Sequence, residues 1–456
     1  EAKDYEYSFM ASSKAINEFN QNFPEVWRIF STSSLEVKEH QAAYSTSKKF
    51  LNKGSLNQFL VETYINHCLH LDKIEEAIDF LENTDFDWST CAIIIGIAAN
   101  LYGILDGNAI RQIKLNEKAY KLEPENIRLK WNLSISQLRA GKLKEGLENY
   151  ECRFEWPEFP SPRRVFKKPI WSPSVPKNSK IMLWYEQGIG DQTRFWSALT
   201  QFRKNYPNLI LEPSPKMQEI IQMAYPEFKC RIGNFDTENL KCHNEDFDYH
   251  LPIGTMFGHE VKKQLKNLNN PDFSLEWEFL KSDKLRTSFW KNKLDKMSEK
   301  PKIGFCWRSG LIGGQRHKQY TDFNQWKQLL QDNRFSFVNL QYDLSYEEFI
   351  EQYPFLEETF LDTGYLDQKD DLDGTLSLIS NLDLVISPAS APSMLSSCLG
   401  IPTIIYASGD IHWFGRDGKF TQHPIYKNTK CYYAKNPSRD PTLVGDLVSY
   451  TNSMLL

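Results

Sequence analysis

From residue 179 onward, short apolar runs alternate with helix-forming stretches, and that alternation leaves few folds open. A first series reads KIMLWY (180–185), NLILE (208–212), FKCRI (228–232) and FDYHL (247–251). A second reads KIGFCW (302–307), FSFVNLQ (335–341), TFLDT (359–363), DLVIS (383–387) and TIIYA (403–407). Strands joined through helices form parallel, doubly wound sheets. A charged helical stretch around 280–300 separates the series. Two Rossmann-like halves are therefore predicted, 179–298 and 299–456, with a cleft between their facing edges. Ligands of such sheets bind beyond the carboxyl ends of the strands.

The first 155 residues read differently. LNQFLVETYINHCLHL and IRLKWNLSISQLRA carry apolar residues at helical spacing. LDKIEEAIDFLE (71–82) and GKLKEGLENYECRF (141–154) share a turn, a charged pair, a small residue and an aromatic. Their small residues, Ala77 and Gly146, lie about two tetratricopeptide periods apart. EKAYKLEPEN (117–126) adds the small residue, leucine and proline that close such a repeat. Residues 1–155 are read as a helical repeat domain. Residues 156–178 hold six prolines, which deny donors to helix and sheet, and are read as a connector. Its Trp156, Phe159, Phe166 and Trp171 imply that it packs on something.

Charge and cysteine usage narrow the class. Net charge is −5, so no broad polybasic surface calls for nucleic acid or anionic lipid. None of the eight cysteines forms a CxxC pair, which fits a reduced, cytoplasmic protein. The longest apolar stretch, CAIIIGIAANLYGIL (91–105), is too short to span a bilayer. No metal site is expected: Cys242-His243 has no second ligand pair, and the triplets Asp246-Phe247-Asp248 and Asp371-Leu372-Asp373 read as structural.

The first strand-to-helix turn, EQGIGD, carries the densest signal. Gly188 and Gly190 permit positive φ and close approach of a ligand, and Asp191 stands at the helix start. An aspartate there is also a common N-cap. Thr193 breaks the dinucleotide fingerprint G-x-G-x-x-G/A, although Glu212 ends the next strand as a ribose-binding acid would. In the second half, Ser390 caps the helix APSMLSSCL and Gly400 closes it. A helix start with Ser390 and Ser393 beside it is an anion site.

The run GKLKEGLENYECRFEW, a proline connector and KIMLWYEQGIGDQTRF are followed in order by FDYHLPIGTM, KIGFCWRSG, FVNLQYD and LDLVISPASAPSMLSSCLGIPT. This succession resembles bacterial tetratricopeptide proteins whose C-terminal half is similar to heptosyltransferase-like and O-GlcNAc-transferase-like glycosyltransferases of the GT-B fold. The resemblance implies Asp191 as general base. It implies donor contacts from Gly188, Gly190, Arg308, Ser309, Lys318, Gln341, Tyr342, Ser387, Ser390, Ala391 and Ser393. Cations for a diphosphate could come from Arg308, Arg316 or Lys318, and Gly310, Gly313 and Gly314 mark a loop around them. The family reads Asp-Thr where this chain has Ala389-Ser390, and His where it has Met394. His412, Trp413 and His423 are further candidates for touching sugar or base.

The expectation is helical repeats followed by a GT-B transferase. It uses a nucleotide sugar, a protein or glycan acceptor held by the repeats, and neither metal nor cofactor. The alternatives are an inactive binding scaffold and, behind it, an NAD-dependent oxidoreductase.

Overall fold

The computed structural model describes residues 2–51, 56–106, 109–161, 163–236, 238–310, 320–364, 366–407, 418–434 and 440–456. The chain divides into two compact units, Glu1–Trp156 and Pro157–Leu456.

The described elements of the first unit are all helices. Its helices are α1 (Ala2–Asn17), α2 (Pro24–Glu36), α3 (His40–Leu51), α4 (Gln58–His70), α5 (Ile74–Asn83), α6 (Ala92–Asp106), α7 (Ala109–Leu122), α8 (Ile127–Arg139) and α9 (Leu143–Tyr150). Pairs α4–α5, α6–α7 and α8–α9 pack as hairpins, and each hairpin packs on the next. First helices begin at Gln58, Ala92 and Ile127, and second helices at Ile74, Ala109 and Leu143, so like elements recur every 34 to 35 residues. Both small residues singled out by the repeat lie at helix contacts. Ala77 is fully buried. A Cβ on Gly146 would come within 2.8 Å of Leu138, so α9 lies too close to α8 for any side chain there. No described helix is long and apolar enough to cross a membrane.

The second unit holds two parallel sheets in series. The first contains β1 (Ile181–Trp184), β2 (Leu209–Glu212), β3 (Lys229–Cys230) and β4 (Tyr249–Pro252), in the order β3-β2-β1-β4. The second contains β5 (Lys302–Phe305), β6 (Ser336–Asn339), β7 (Leu384–Pro388), β8 (Thr403–Ala407), β9 (Thr421–Gln422) and β10 (Thr429–Tyr433), in the order β6-β5-β7-β8-β10-β9. Among the described strands only β9 runs antiparallel, at the edge. β1 is buried at all four positions, as a continuous apolar run covered on both faces must be. This is the α plus α/β class expected, with two doubly wound lobes following the helical unit.

Three local expectations need correction. TFLDT contributes a single bridge, Phe337 to Phe360, not a strand. FKCRI shortens to two residues at the sheet edge. The strand β10 went unseen because TKCYY opens with a threonine and a lysine, yet it pairs along its full length with β8.

The proline-rich segment lies on the first lobe. Lacking amide donors, it pairs only through isolated bridges, Val165 to Lys241 and Ile170 to His250. Trp171 is buried against Phe202 and Tyr206, and Phe166 stacks on His250 at 3.8 Å. The helices of this unit are α10 (Ile189–Ser197), α11 (Leu199–Phe202), α12 (Gln218–Ala224), α13 (Ile253–Lys263), α14 (Leu265–Leu268), α15 (Lys284–Met297), α16 (Lys327–Leu330), α17 (Tyr346–Gln352), α18 (Leu372–Ile379), α19 (Ala391–Leu399) and α20 (Leu443–Leu455). α10 lies against α19, and the segment before α15 hydrogen-bonds across, Phe279 N–H donating to Cys398 O at 3.0 Å.

Candidate active site at the carboxyl edges

Each sheet reverses strand order beside its first strand. β1 lies between β2 and β4, and β5 between β6 and β7. These switch points are where crevices open in doubly wound sheets.

At the first switch point the chain leaves β1 through Tyr185, Glu186 and Gln187 into α10. The left-handed residue of this turn is Gln187, at φ 64°; Gly188 has φ −80° and Gly190 is not in the positive region. The expected positive φ at the two glycines is thus corrected. Gln187 is held there by its own backbone: its N–H donates to Ser161 Oγ at 2.5 Å, and its carbonyl accepts from Gln192 Nε2 at 2.9 Å. Gly188 is the N-cap, which places Asp191 at the third helical position rather than at the cap. Nor does close packing demand glycine at 190, where a Cβ would meet only ordinary contacts. A Cβ there would lie 3.8 Å from Ala391 N and Cα and from Met394 Cγ. The start of α10 therefore sits directly on the start of α19.

Glu186 was missed by sequence reasoning. It is fully buried, and its Oε1 accepts from Gly254 N–H at 2.7 Å, tying β1 to the helix that follows β4. Glu212 is also fully buried and is not offered to a ribose. It pairs with Arg164 at 2.9 Å and Arg231 at 2.8 Å, and Arg231 continues to Asp246 at 2.8 Å. Burial lowers the Arg164 guanidinium from its ordinary value, opposed by the charge of Glu212.

The second switch point is built around Gln341, which is fully buried. Its Oε1 accepts from Arg308 N–H at 3.3 Å and from the Cys306 thiol at 3.5 Å, while its Nε2 donates to Asp343 Oδ1 at 2.7 Å. Asp343 in turn binds the Arg308 guanidinium at 2.5 Å. Tyr342 Oη accepts from Gly310 N–H at 2.6 Å and lies 3.2 Å from Ser309 Oγ. Arg308, Ser309, Gln341 and Tyr342 are thus brought into one network. Burial pushes the Cys306 thiol up to about 12, so it stays neutral. Trp307 turns into the core, against Phe323 at 4.7 Å.

Ser390 caps α19 in extended conformation and Gly400 ends it at φ 79°. Ser390 N–H donates to Ser393 Oγ at 3.0 Å, and Ser387 Oγ lies 3.0 Å from Ser390 Oγ. Ser387, Ser390, Ala391 and Ser393 therefore cluster at one helix start. A cavity of about 250 Å³ opens beyond β6, lined by Tyr342, Asp343, Tyr346, Glu348, Asp367 and Asp370 among others, and none of the four residues at the α19 start lines it. Lys318, Arg316, Gly313, Gly314, His412 and Trp413 lie outside the described residues. His423 is buried, its Nδ1 accepting from Ile425 N–H at 3.1 Å. The acid triplets have structural partners: Asp248 accepts from Lys180 N–H, and Asp371 and Asp373 bind Arg286.

No family model matches the chain. The chain is 27% identical over 306 residues to protein FlbA of Caulobacter vibrioides, covering 65% of this chain and 50% of that protein, so it spans about half the length of the curated relative it matches. Among solved structures it is similar to a family 9 glycosyl transferase from Veillonella parvula, at 10% identity and TM-score 0.40 over 62% of this chain and 93% of that one. It is also similar to the E. coli ADP-heptose lipopolysaccharide heptosyltransferase II, at 13% identity and TM-score 0.36 over 60% and 98%. A Thermobaculum terrenum O-GlcNAc transferase aligns over 92% of this chain and 93% of its own, at 10% identity and TM-score 0.24.

Proposed function

We propose that the chain is a glycosyltransferase that moves a sugar from a nucleotide-sugar donor to a hydroxyl or amide of a protein or glycan acceptor. The observation that carries this reading is the contact of two helix starts, Gly190 of one lobe on Ala391 of the other. It supports reading the Asp191 turn and the serine-lined turn as two sides of one crevice.

The donor belongs to the second lobe. Helix starts favour phosphate through their aligned N–H groups, so the diphosphate sits at Ser390, Ala391 and Ser393. β6 lies two strands from β7, about 10 Å at ordinary sheet spacing. That suits a nucleoside reaching from α19 into the cavity beyond β6, where carboxylates accept hydrogen bonds from ribose hydroxyls. Arg308 already serves Asp343, so it reaches a phosphate only by exchanging that partner. This leaves charge stabilisation chiefly to the helix start and to Lys318.

In the reaction, the acceptor gives its proton to Asp191 as its oxygen or nitrogen attacks the anomeric carbon. The bond from that carbon to the phosphate oxygen breaks, and its electron pair leaves on the nucleoside diphosphate. Metal and resident cofactor have no part in this scheme. The 34 to 35 residue recurrence supports reading the hairpins as tetratricopeptide repeats, whose concave face would hold the acceptor in the cytoplasm.

A second reading, a binding scaffold without turnover, draws on Met394 beside Gly190 and on the prior engagement of Arg308. Thermal shift and nucleotide release with UDP-, GDP-, ADP- and CMP-sugars separate the two. The transferase gives a shift and release; a scaffold gives a shift alone even when acceptor lysate is added. Asp191→Asn is expected to cut turnover at least about 100-fold while leaving donor affinity unchanged. Undiminished turnover in that variant removes Asp191 from the base role.

A further inference from the structure

Helix α15 carries a feature unrelated to donor or acceptor chemistry. Its inward face is ordinary: Trp290 and Leu294 are buried, and Arg286 binds Asp371 and Asp373. Its outward face is not. Leu285 is 82% exposed, the largest value among the described large apolar side chains, and Phe289 one turn on is 60% exposed. At helical spacing Leu285, Phe289, Asn292 and Lys296 share one stripe.

Cations surround these two prongs. Lys281, Lys284, Lys291, Lys296 and Lys300 are exposed, and Lys293 leans over the Trp290 ring at 5.3 Å. From 281 to 300 there are seven Lys and Arg against three acids, a local net charge of +4 in a chain of net −5. The acids are largely committed. Asp283 caps the helix through Arg286 N–H at 2.8 Å, and Asp295 binds Lys291 at 2.8 Å and Lys302 at 3.2 Å.

We propose that this face of α15 docks the protein on an anionic lipid surface. Apolar residues on a helix ringed by lysines are what an acyl–headgroup boundary accepts, the side chains entering and the ammonium groups meeting lipid phosphates. The shape favours lipid over a protein partner. A peptide or helix docks into a groove, whereas here the two apolar side chains project from the crown of a convex helix. The chain-wide net charge hides the patch because acids elsewhere outnumber it.

Each lysine that reaches an anionic surface raises partition about fivefold. The test is co-sedimentation of the full chain with vesicles of phosphatidylcholine alone and of phosphatidylcholine with one-quarter phosphatidylglycerol. The expected result is at least tenfold stronger binding to the anionic vesicles, weakening as salt is raised. Leu285→Asp with Phe289→Asp, and separately Lys284→Glu with Lys296→Glu and Lys300→Glu, should each return binding to the neutral-vesicle level. All five residues are exposed, so unchanged circular dichroism and melting are expected to accompany the loss. Equal binding to neutral vesicles, no binding to either, or full binding by both variants overturns the proposal. So does salt-sensitive binding to a single-stranded oligonucleotide that the Asp variant leaves intact, since that assigns the patch to phosphate without lipid.

Discussion

The two sheets share a topology and a switch point, yet their carboxyl edges are filled differently. At the first, the space beside β1 and β2 is taken by protein: Glu186 bonded to Gly254, and Glu212 locked between Arg164 and Arg231. At the second, the network of Gln341, Arg308 and Tyr342 props up a rim, and a cavity remains beyond β6. A lobe whose edge is plugged by buried ion pairs gains a rigid frame for a turn but loses room for a nucleotide. A lobe whose edge is only rimmed keeps that room. The same topology therefore ends in two different edges, one closed by buried polar pairs and one with room left beside it.

The largest effect that sharpens this contrast comes from the connector. Arg164→Ala removes one of the two cations facing the fully buried Glu212 and should cost about 3 kcal/mol, read as a lowered urea midpoint with unchanged slope. A loss below about 0.5 kcal/mol would mean the first edge is not held by this pair.

A smaller effect follows from pH. His250, on β4 of the first lobe, is buried beneath Phe166 and accepts from Trp184 Nε1 at 3.3 Å. Burial, helped by Arg163, lowers its pKa from 6.5 to about 4. The unfolded chain then takes a proton first as pH falls below 6.5. Stability contributed by the neutral ring is complete above that pH and drains away down to about 4, with about 2 kcal/mol lost at pH 5. His250→Gln should flatten urea unfolding between pH 7 and pH 5 by that amount; an unaltered pH dependence would place the sensitivity elsewhere.

The smallest concerns Gln187. Its left-handed backbone is strained for a residue with a Cβ, and both of its bonds to Ser161 and Gln192 use main-chain atoms. Gln187→Gly keeps those bonds and should stabilise by up to about 1 kcal/mol, the gain partly offset by unfolded-chain entropy. Destabilisation would show that the side chain itself supports the turn.

Much of the architecture was legible because buried parallel strands are written as unbroken apolar runs. Ile181 to Trp184 and Leu384 to Pro388 stand out on composition alone. β10 did not, because Lys430 breaks its apolar run at the second position, its ammonium reaching out to Gln422 at 3.2 Å. At the site, the helix start at Ser390 was legible from capping chemistry, and Gly400 from the need for a left-handed stop. Glu186, Gln341 and Arg164 were not legible in these roles. A buried polar residue is defined by its partners, and those lie 68, 33 and 48 positions away in the chain.

The sequence by itself determined the helical unit, the two doubly wound sheets and the turns that leave their strands, since each of these rests on periodicity and local backbone chemistry. Only the tertiary structure decided that Gly190 would lie over Ala391, that Glu212 would be sealed between two arginines, and that Arg308 would meet Asp343. Those outcomes depend on which side chains the packing of distant segments brings within a few ångströms, and the order of residues along a chain does not fix that locally.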